Sequence, residues 1–334
     1  MAPRRFLLAA AGGAGLLALI YALAGSAVIA FAASRMLTVG LLLEAFEPDE
    51  RPSDPLVLGY RGDPGEAFGL AFETVEITTP LGPAPAWWVP APESGADDAL
   101  SGLAAVYVHG VAGAREDGYR HLSLLHARGI PVLLITYRND LGAPPAPHGR
   151  YAFGMEEWED LEAAILWLEG EGHDRLILAG ESMGGAIAGQ FLIHSTHAGH
   201  IVGLALDSPA LDFTPVLVRV GEAIGLPGAG LLAPPARLLL SLTGPTDFSR
   251  TTLIDDIAGF DRPFFLAHGQ TDSAVPYAIS ARLAARRTGP MVFITTQADH
   301  LQSFAEDPDR YRSAFNAFLD TAAQDLTQAQ DGAP

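Results

Sequence analysis

The sequence predicts an α/β fold: a mainly parallel sheet covered by helices on both faces. Two observations predict it. Short apolar runs bounded by Gly, Pro or Asp recur from Leu103 to Thr296. Amphipathic stretches with helical spacing separate most of them, as parallel crossovers require. A third observation adds a sharp corner at the centre. The stretch "LILAGESMGG" (Leu176–Gly185) carries one such run into Gly-x-Ser-x-Gly and then into a small-residue helix.

The first element stands apart. "MAPRR" precedes an uncharged run from Phe6 to Ser34, closed by Arg35. A bilayer core takes about 20 apolar residues as helix, whereas a signal-peptide core is about 7–15 residues. Length therefore favours a single-pass membrane anchor over residues 1–35, outside the folded domain. The small-residue pattern "AFAAS" (Ala30–Ser34) keeps a cleaved signal and a secreted product open, and a buried helix of the domain is the third reading. Arg4 and Arg5 before the run lean the N-terminus to the cytoplasm and the catalytic part outside. Residues 36–55, with "EPDERPSDP" (Glu47–Pro55), read as a charged, Pro-rich linker.

A domain over residues 56–324 follows. "FETVEITT" (Phe72–Thr79) and "PAWWVP" (Pro85–Pro90) are strands around a Gly-Pro turn. "LAAVYVHG" (Leu103–Gly110) and "IPVLLITY" (Ile130–Tyr137) are strands flanking a helix at Gly118–Gly129. An acid-started helix (Glu156–Gly170), a strand (Arg175–Gly180) and a helix (Met183–Ser195) come next. Further strands are Ile201–Pro209, Pro263–Gly269 and Pro290–Thr296, with helices at Ala278–Arg287 and Arg310–Gln324. Residues 325–334 read as a polar, frayed tail. The insert at 211–261 is read as a small helical cap of one or two short helices, opened by a Thr-Pro signal, broken by two Pro-containing turns and rich in leucine.

Composition narrows function. With 49% hydrophobic residues among 334, a sizeable core is available and disorder is excluded. No cysteine is present, which removes disulfides, thiolate metal sites and cysteine nucleophiles. No lysine is present and the formal charge is −19, so nucleic acid is not a partner.

In open parallel sheets chemistry gathers at the carboxyl ends of the strands. Reading just past each strand gives His109–Gly113, Gly180–Gly184, His268–Asp272 and Ala298–His300. A serine, an aspartate and a histidine thus appear in order on strand-exit loops. Gly-x-Ser-x-Gly between strand and helix is a nucleophile elbow: a strained turn lifts the serine oxygen above the sheet, and side chains at Gly180 and Gly184 would collide with backbone.

On these residues the chain resembles the α/β-hydrolase superfamily of serine hydrolases, from about Glu73 to Leu319. "VHGVAG" is similar to its oxyanion loop, "AGESMGG" to its elbow, "HGQTDSAVP" to its acid loop and "ADH" to its histidine loop. "TYRND" through "EWEDLEAAILWL" resembles membrane-associated esterase, lipase and depalmitoylase-like branches. The resemblance implies Ser182 as nucleophile, His300 as general base and acid, Asp272 as its orienting acid, and the N–H groups of Val111 and Met183 as oxyanion donors. It implies no cofactor and no metal.

Each residue has a plainer rival. Asp207 in "LALDSP" is the alternative acid, or a cap on local backbone. His109 is expected to support the oxyanion loop and His268 to pack beneath the acid loop. His194, His197 and His200 recur every third residue, but without an interleaved carboxylate they suit a helix C-terminus better than a metal. Trp158 and Trp167 are expected to be core contacts. The leucine-rich cap points to an apolar acyl group on a small-molecule or lipid-like ester or thioester. A serine peptidase or amidase on the same residues, and a non-hydrolytic protein of this fold, are the alternatives.

Overall fold

The computed structural model describes residues 2–40, 51–92 and 100–331. Eight strands form one sheet: β1 (Glu73–Thr79), β2 (Gly82–Val89), β3 (Leu103–Val108), β4 (Val132–Ile135), β5 (Arg175–Glu181), β6 (Ile201–Asp207), β7 (Phe264–Gly269) and β8 (Met291–Thr296). Their spatial order is β1-β2-β4-β3-β5-β6-β7-β8. β2 pairs antiparallel with β1 and β4, and the rest are parallel. β3 through β7 are apolar almost throughout because helices cover both faces. The long linker predicted over 36–55 lies partly outside the described residues.

In chain order the α-helices before the cap are α1 (Ala2–Met36), α2 (Pro64–Phe68), α3 (Tyr119–His126), α4 (Trp158–Gly170) and α5 (Met183–His194). Two apolar layers sandwich the sheet. One holds Phe191, Ile187 and Leu161 from the helices Met183–His194 and Trp158–Gly170, together with the cap. The other holds Phe315, Phe318 and Tyr311 from the C-terminal helix Pro308–Asp331. That helix runs past Gln324 to Asp331, so the expected tail begins later than the polar composition suggested. Leu326 explains it, since its side chain is buried and carries the helix beyond Gln324.

The cap contains two principal helices, α6 (Phe213–Ala223) and α7 (Ala229–Thr243). Asp212 caps α6 by accepting from the N–H of Thr214 (3.1 Å). The turn "LPG" separates the helices, as expected. Pro234 and Pro235, expected to form a second turn, instead lie inside α7. Buried Leu232, Ala233, Ala236 and Leu240 hold that helix together through tertiary packing, which outweighs the lost backbone bonds.

The N-terminal helix α1 (Ala2–Met36) is long and apolar as predicted, but its second half is not separate from the domain. Ile29 and Ala33 are fully buried, and Gly25, Ser26 and Ala30 face the cap with them. These positions repeat every three or four residues, so they form one narrow face, made of small side chains around Ile29. α7 lies so close that a Cβ on Gly25 would stand 2.8 Å from Leu232 Cδ1. A mean hydropathy cannot reveal such a stripe.

Beneath the corner of β5 lies a buried polar network absent from the sequence reading. Glu181 is fully buried. Its carboxylate accepts from Arg120 (2.6 Å) and Tyr107 (3.0 Å), and His121 Nδ1 stands 3.2 Å away. Burial alone would raise the Glu181 pKa. Arg120 and His121 together outweigh it and bring the group to about 2. Replacing Arg120 with Met strands this carboxylate, and the expected cost is about 3–5 kcal/mol. Since the folded pKa lies below the ordinary 4.5, the pairing stabilises above that value and is lost as pH falls toward 2. Urea titrations of wild type and Arg120→Met at pH 7 test this; equal midpoints would refute it.

Candidate active site

Ser182 occupies the corner between β5 and the helix Met183–His194. Its backbone sits at φ 51, ψ −117, a region non-glycine residues rarely enter. The turn can be this tight because the neighbouring positions lack side chains. A Cβ on Gly180 would stand 2.9 Å from the carbonyl of Gly184, and one on Gly184 would overlap the carbonyl of Val108. The N–H of Ser182 donates to Asp207 O (3.0 Å), and its carbonyl accepts from Gly185 and Ala210.

His300 follows β8 and Asp272 follows β7. His300 Nε2 lies 3.0 Å from Ser182 Oγ, and His300 Nδ1 lies 2.7 Å from Asp272 Oδ2. Because a carboxylate only accepts, Nδ1 carries the proton and the Ser182 hydroxyl donates to Nε2. The three predicted residues are therefore brought together in one hydrogen-bonded line. Asp272 is fully buried. Its Oδ1 accepts from the N–H groups of Ala274 (2.9 Å) and Val275 (2.7 Å). Burial would raise its pKa, but bonds from His268 and His300 and from the Val275 N–H hold it well below the usual carboxylate range. Asp299 ties the two loops together by accepting from the N–H groups of Ser273 (2.8 Å) and His300 (2.7 Å).

His268 does pack beneath the acid loop, and it touches the acid directly. Its Nε2 faces Val275 O (2.9 Å) and Asp272 Oδ2 (3.2 Å), while Nδ1 faces the Ser280 hydroxyl (2.7 Å). With Nε2–H as donor and Nδ1 as acceptor every partner is satisfied. Asp207 stands elsewhere. It is buried, accepts from Tyr311 Oη (3.1 Å) and Ser208 Oγ (3.0 Å), and shares the Glu181 network. Its side chain caps no local backbone in these contacts, because the network below the sheet claims it.

Val111 and Met183 border Ser182. Met183 opens its helix, so its N–H is one of the unpaired donors of that terminus. A Cβ on Gly110 would stand 2.9 Å from Ser182 Cβ, which places the start of the Val111 loop against the serine. The Gly110 carbonyl accepts from Tyr137 Oη (2.9 Å) and faces His109 Nδ1 (2.8 Å). The N–H of Val111, on the opposite edge of that peptide, therefore points away from them. His109 supports this loop as expected. It is buried, stacks on Tyr137 and reaches Asp140 Oδ2 through Nε2 (2.8 Å). Burial would lower its pKa, but Asp140 and Gly110 raise it.

The histidine run divides. His194 turns to Gln190 and Trp158, while His197 Nδ1 and His200 Nε2 both approach Glu169 Oε1, at 2.8 and 2.9 Å. A carboxylate thus does join two of the histidines, from a helix distant in sequence. Trp167 meets Trp88 of β2 edge to face, a core contact as expected. The cap leucines divide too. Leu240 is buried, whereas Leu231, Leu238 and Leu242 face outward. α6 is the element that reaches the acid loop, through Arg219 to Asp272 O (3.3 Å).

The sequence profile of the alpha/beta hydrolase family matches residues 105–317. Two uncharacterized proteins from strains of Mycobacterium tuberculosis are each 31% identical over 211 residues, covering 62% of this chain. The match spans 64% of the length of those relatives. An esterase of Pyrococcus furiosus is similar in structure, with TM-score 0.58, 20% identity, and coverage of 80% of this chain and 98% of its own. A serine hydrolase without a lid from Xanthomonas campestris follows the same fold at TM-score 0.51 and 16% identity, over 75% of this chain and 94% of its own.

The contacts of the two aspartates predict a ranking. Asp272→Asn is expected to lower kcat on an ester reporter by about 10⁴, since the amide can bond the imidazole in the wrong tautomer. Asp207→Asn should cost stability and far less kcat. Steady-state kinetics of both variants decide; the reverse ranking moves the acid to β6.

Proposed function

The chain belongs to the alpha/beta hydrolase family, and from that premise we propose that it is a serine hydrolase of carboxylic esters or thioesters with an apolar acyl group. The observation that carries the reading is the line Ser182–His300–Asp272. Ser182 Oγ attacks the acyl carbon while its proton passes to His300 Nε2. The carbonyl electron pair moves onto oxygen, which receives the N–H groups of Val111 and Met183. Collapse expels the alkoxide or thiolate, which takes the proton from His300. Water then attacks the acyl-serine, giving its proton to His300, and the carboxylic acid leaves as Ser182 recovers that proton. Asp272 steadies the imidazolium at each stage, and no cofactor or metal takes part. The alternatives, a peptidase or amidase on the same groups or a non-hydrolytic protein, have no contact of their own in their favour.

Membrane anchorage through α1, with the catalytic domain outside the cytoplasm, completes the proposal. Residues Gly13–Met36 form a 24-residue helix segment whose most apolar 18-residue stretch has a mean hydropathy of 2.3. Cleavage within Ala30–Ser34 would separate Ile29 and Ala30 from the core they enter, which favours a retained helix over a signal.

Three outcomes are expected. A fluorophosphonate probe should label wild type and fail to label Ser182→Ala; labelling of the variant places the nucleophile elsewhere. On p-nitrophenyl esters, each buried methylene is worth roughly 0.8 kcal/mol, about fourfold in kcat/KM, until the pocket ends. A flat profile, or peptide turnover exceeding every ester, promotes the amidase reading. Full-length protein should stay with membranes through carbonate extraction, and release into the supernatant would remove the anchor.

A further inference from the structure

We propose that the tip of the cap, Ala223–Ala236, is immersed in the lipid bilayer beside α1, as a second membrane-embedded element. This rests on the reading of α1 as a span and goes beyond it, because an anchor alone requires no contact between cap and lipid.

Depth is the first argument. Tyr21 Oη donates to Pro227 O (2.7 Å) in the turn between α6 and α7. Gly25 packs on Leu232. At the other end of α7, Leu240 and Gly244 share a crevice with Ser34 and Leu37. α7 therefore runs in the same direction as α1, and its beginning lies level with Tyr21. Tyr21 is well inside the apolar segment Gly13–Met36, about 22 Å of helix from Met36 at 1.5 Å per residue. A turn hydrogen-bonded to it shares its depth.

Chemistry is the second argument. Between Glu222 and Arg237 no residue carries a charge. Across this stretch and the rest of α7, Ile224 is 46% exposed, Leu231 84%, Leu238 59% and Leu242 74%. Residues 231, 238 and 242 are spaced by seven and four, so they share one face of α7. α1 likewise exposes Val28 and Phe31 to its surroundings. Leucines set this way face water at a cost; facing acyl chains they cost nothing.

The consequence for the site is where substrate arrives. The crevice at the junction of α1 and α7 is lined by Leu37, Leu240 and Tyr151. Tyr151 in turn meets the ring of Tyr137, whose hydroxyl donates to the Gly110 carbonyl beside Val111. A lipid-borne acyl ester leaving the leaflet at this junction meets the wall that leads to Ser182.

The chain has no cysteine, so single substitutions give clean probes. Full-length Leu19→Cys, Leu231→Cys and Gln324→Cys, labelled with a nitrobenzoxadiazole iodoacetamide, are reconstituted into phosphatidylcholine–phosphatidylglycerol vesicles containing doxyl-labelled phosphatidylcholine. Leu19 lies on α1, and Gln324 on the helix covering the other face of the sheet. The expected result is strong quenching at 231, equal to that at 19, with none at 324. Leu238→Cys repeats the test one turn pair further along. Quenching at 19 but not at 231 and 238 overturns immersion and leaves the anchor standing. Absence of quenching at 19 and 231 alike overturns both.

Discussion

The structure depends on one strained turn. Ser182 holds a backbone conformation that costs on the order of 1–3 kcal/mol and persists only where the surroundings over-determine it. Those surroundings converge from every side. Backbone of β3 leaves no room for a side chain at Gly184, Asp207 O receives the Ser182 N–H, and Ala210 donates to its carbonyl. Below, Glu181 is fastened to Arg120 and Tyr107. A strand that ends in this corner fixes where the next helix begins. That helix start then sets the only place at which a histidine and an acid from later strands can meet the serine.

Much of this was legible because it depends on local rules. Apolar runs bounded by turn residues located all eight strands to within a few residues. Reading the residues just past each strand led to Ser182, Asp272 and His300 without any knowledge of which strands were neighbours, since parallel strands deliver their ends to one edge. What stayed hidden depends on partners distant in sequence. Glu181 fills a variable position of Gly-x-Ser-x-Gly, and the partner that gives it a role, Arg120, lies far upstream. His268 was expected to pack, but its contact with Asp272 depends on how the acid loop folds back. Pro234 and Pro235 read as a break, and the apolar face of α7 against α1 and α6 makes them tolerable.

The N-terminal helix shows the same limit from the other direction. Its composition satisfies both a membrane span and a packed helix, and the structure uses it as one element with two surroundings. The first described turns expose Leu16, Leu19 and Leu23, while Ile29, Ala33 and Leu37 enter the core. Small residues on one stripe make that change possible. Gly25, Ser26, Ala30 and Ala33 allow close helix contact without altering the overall hydropathy, so the signal lies in the period of residue size rather than of polarity.

The packed junction between α1 and the cap also determines how the domain moves. A protein held by a flexible tether samples a wide cone of orientations, and its reactive groups sweep a volume set by tether length. Here the rigid union of helix and cap removes those rotational degrees of freedom. The serine stands at one fixed height and one fixed tilt relative to the helix axis. Under the membrane anchorage proposed above, encounter is a two-dimensional search governed by lateral diffusion, and it selects ester carbonyls that lie at that height.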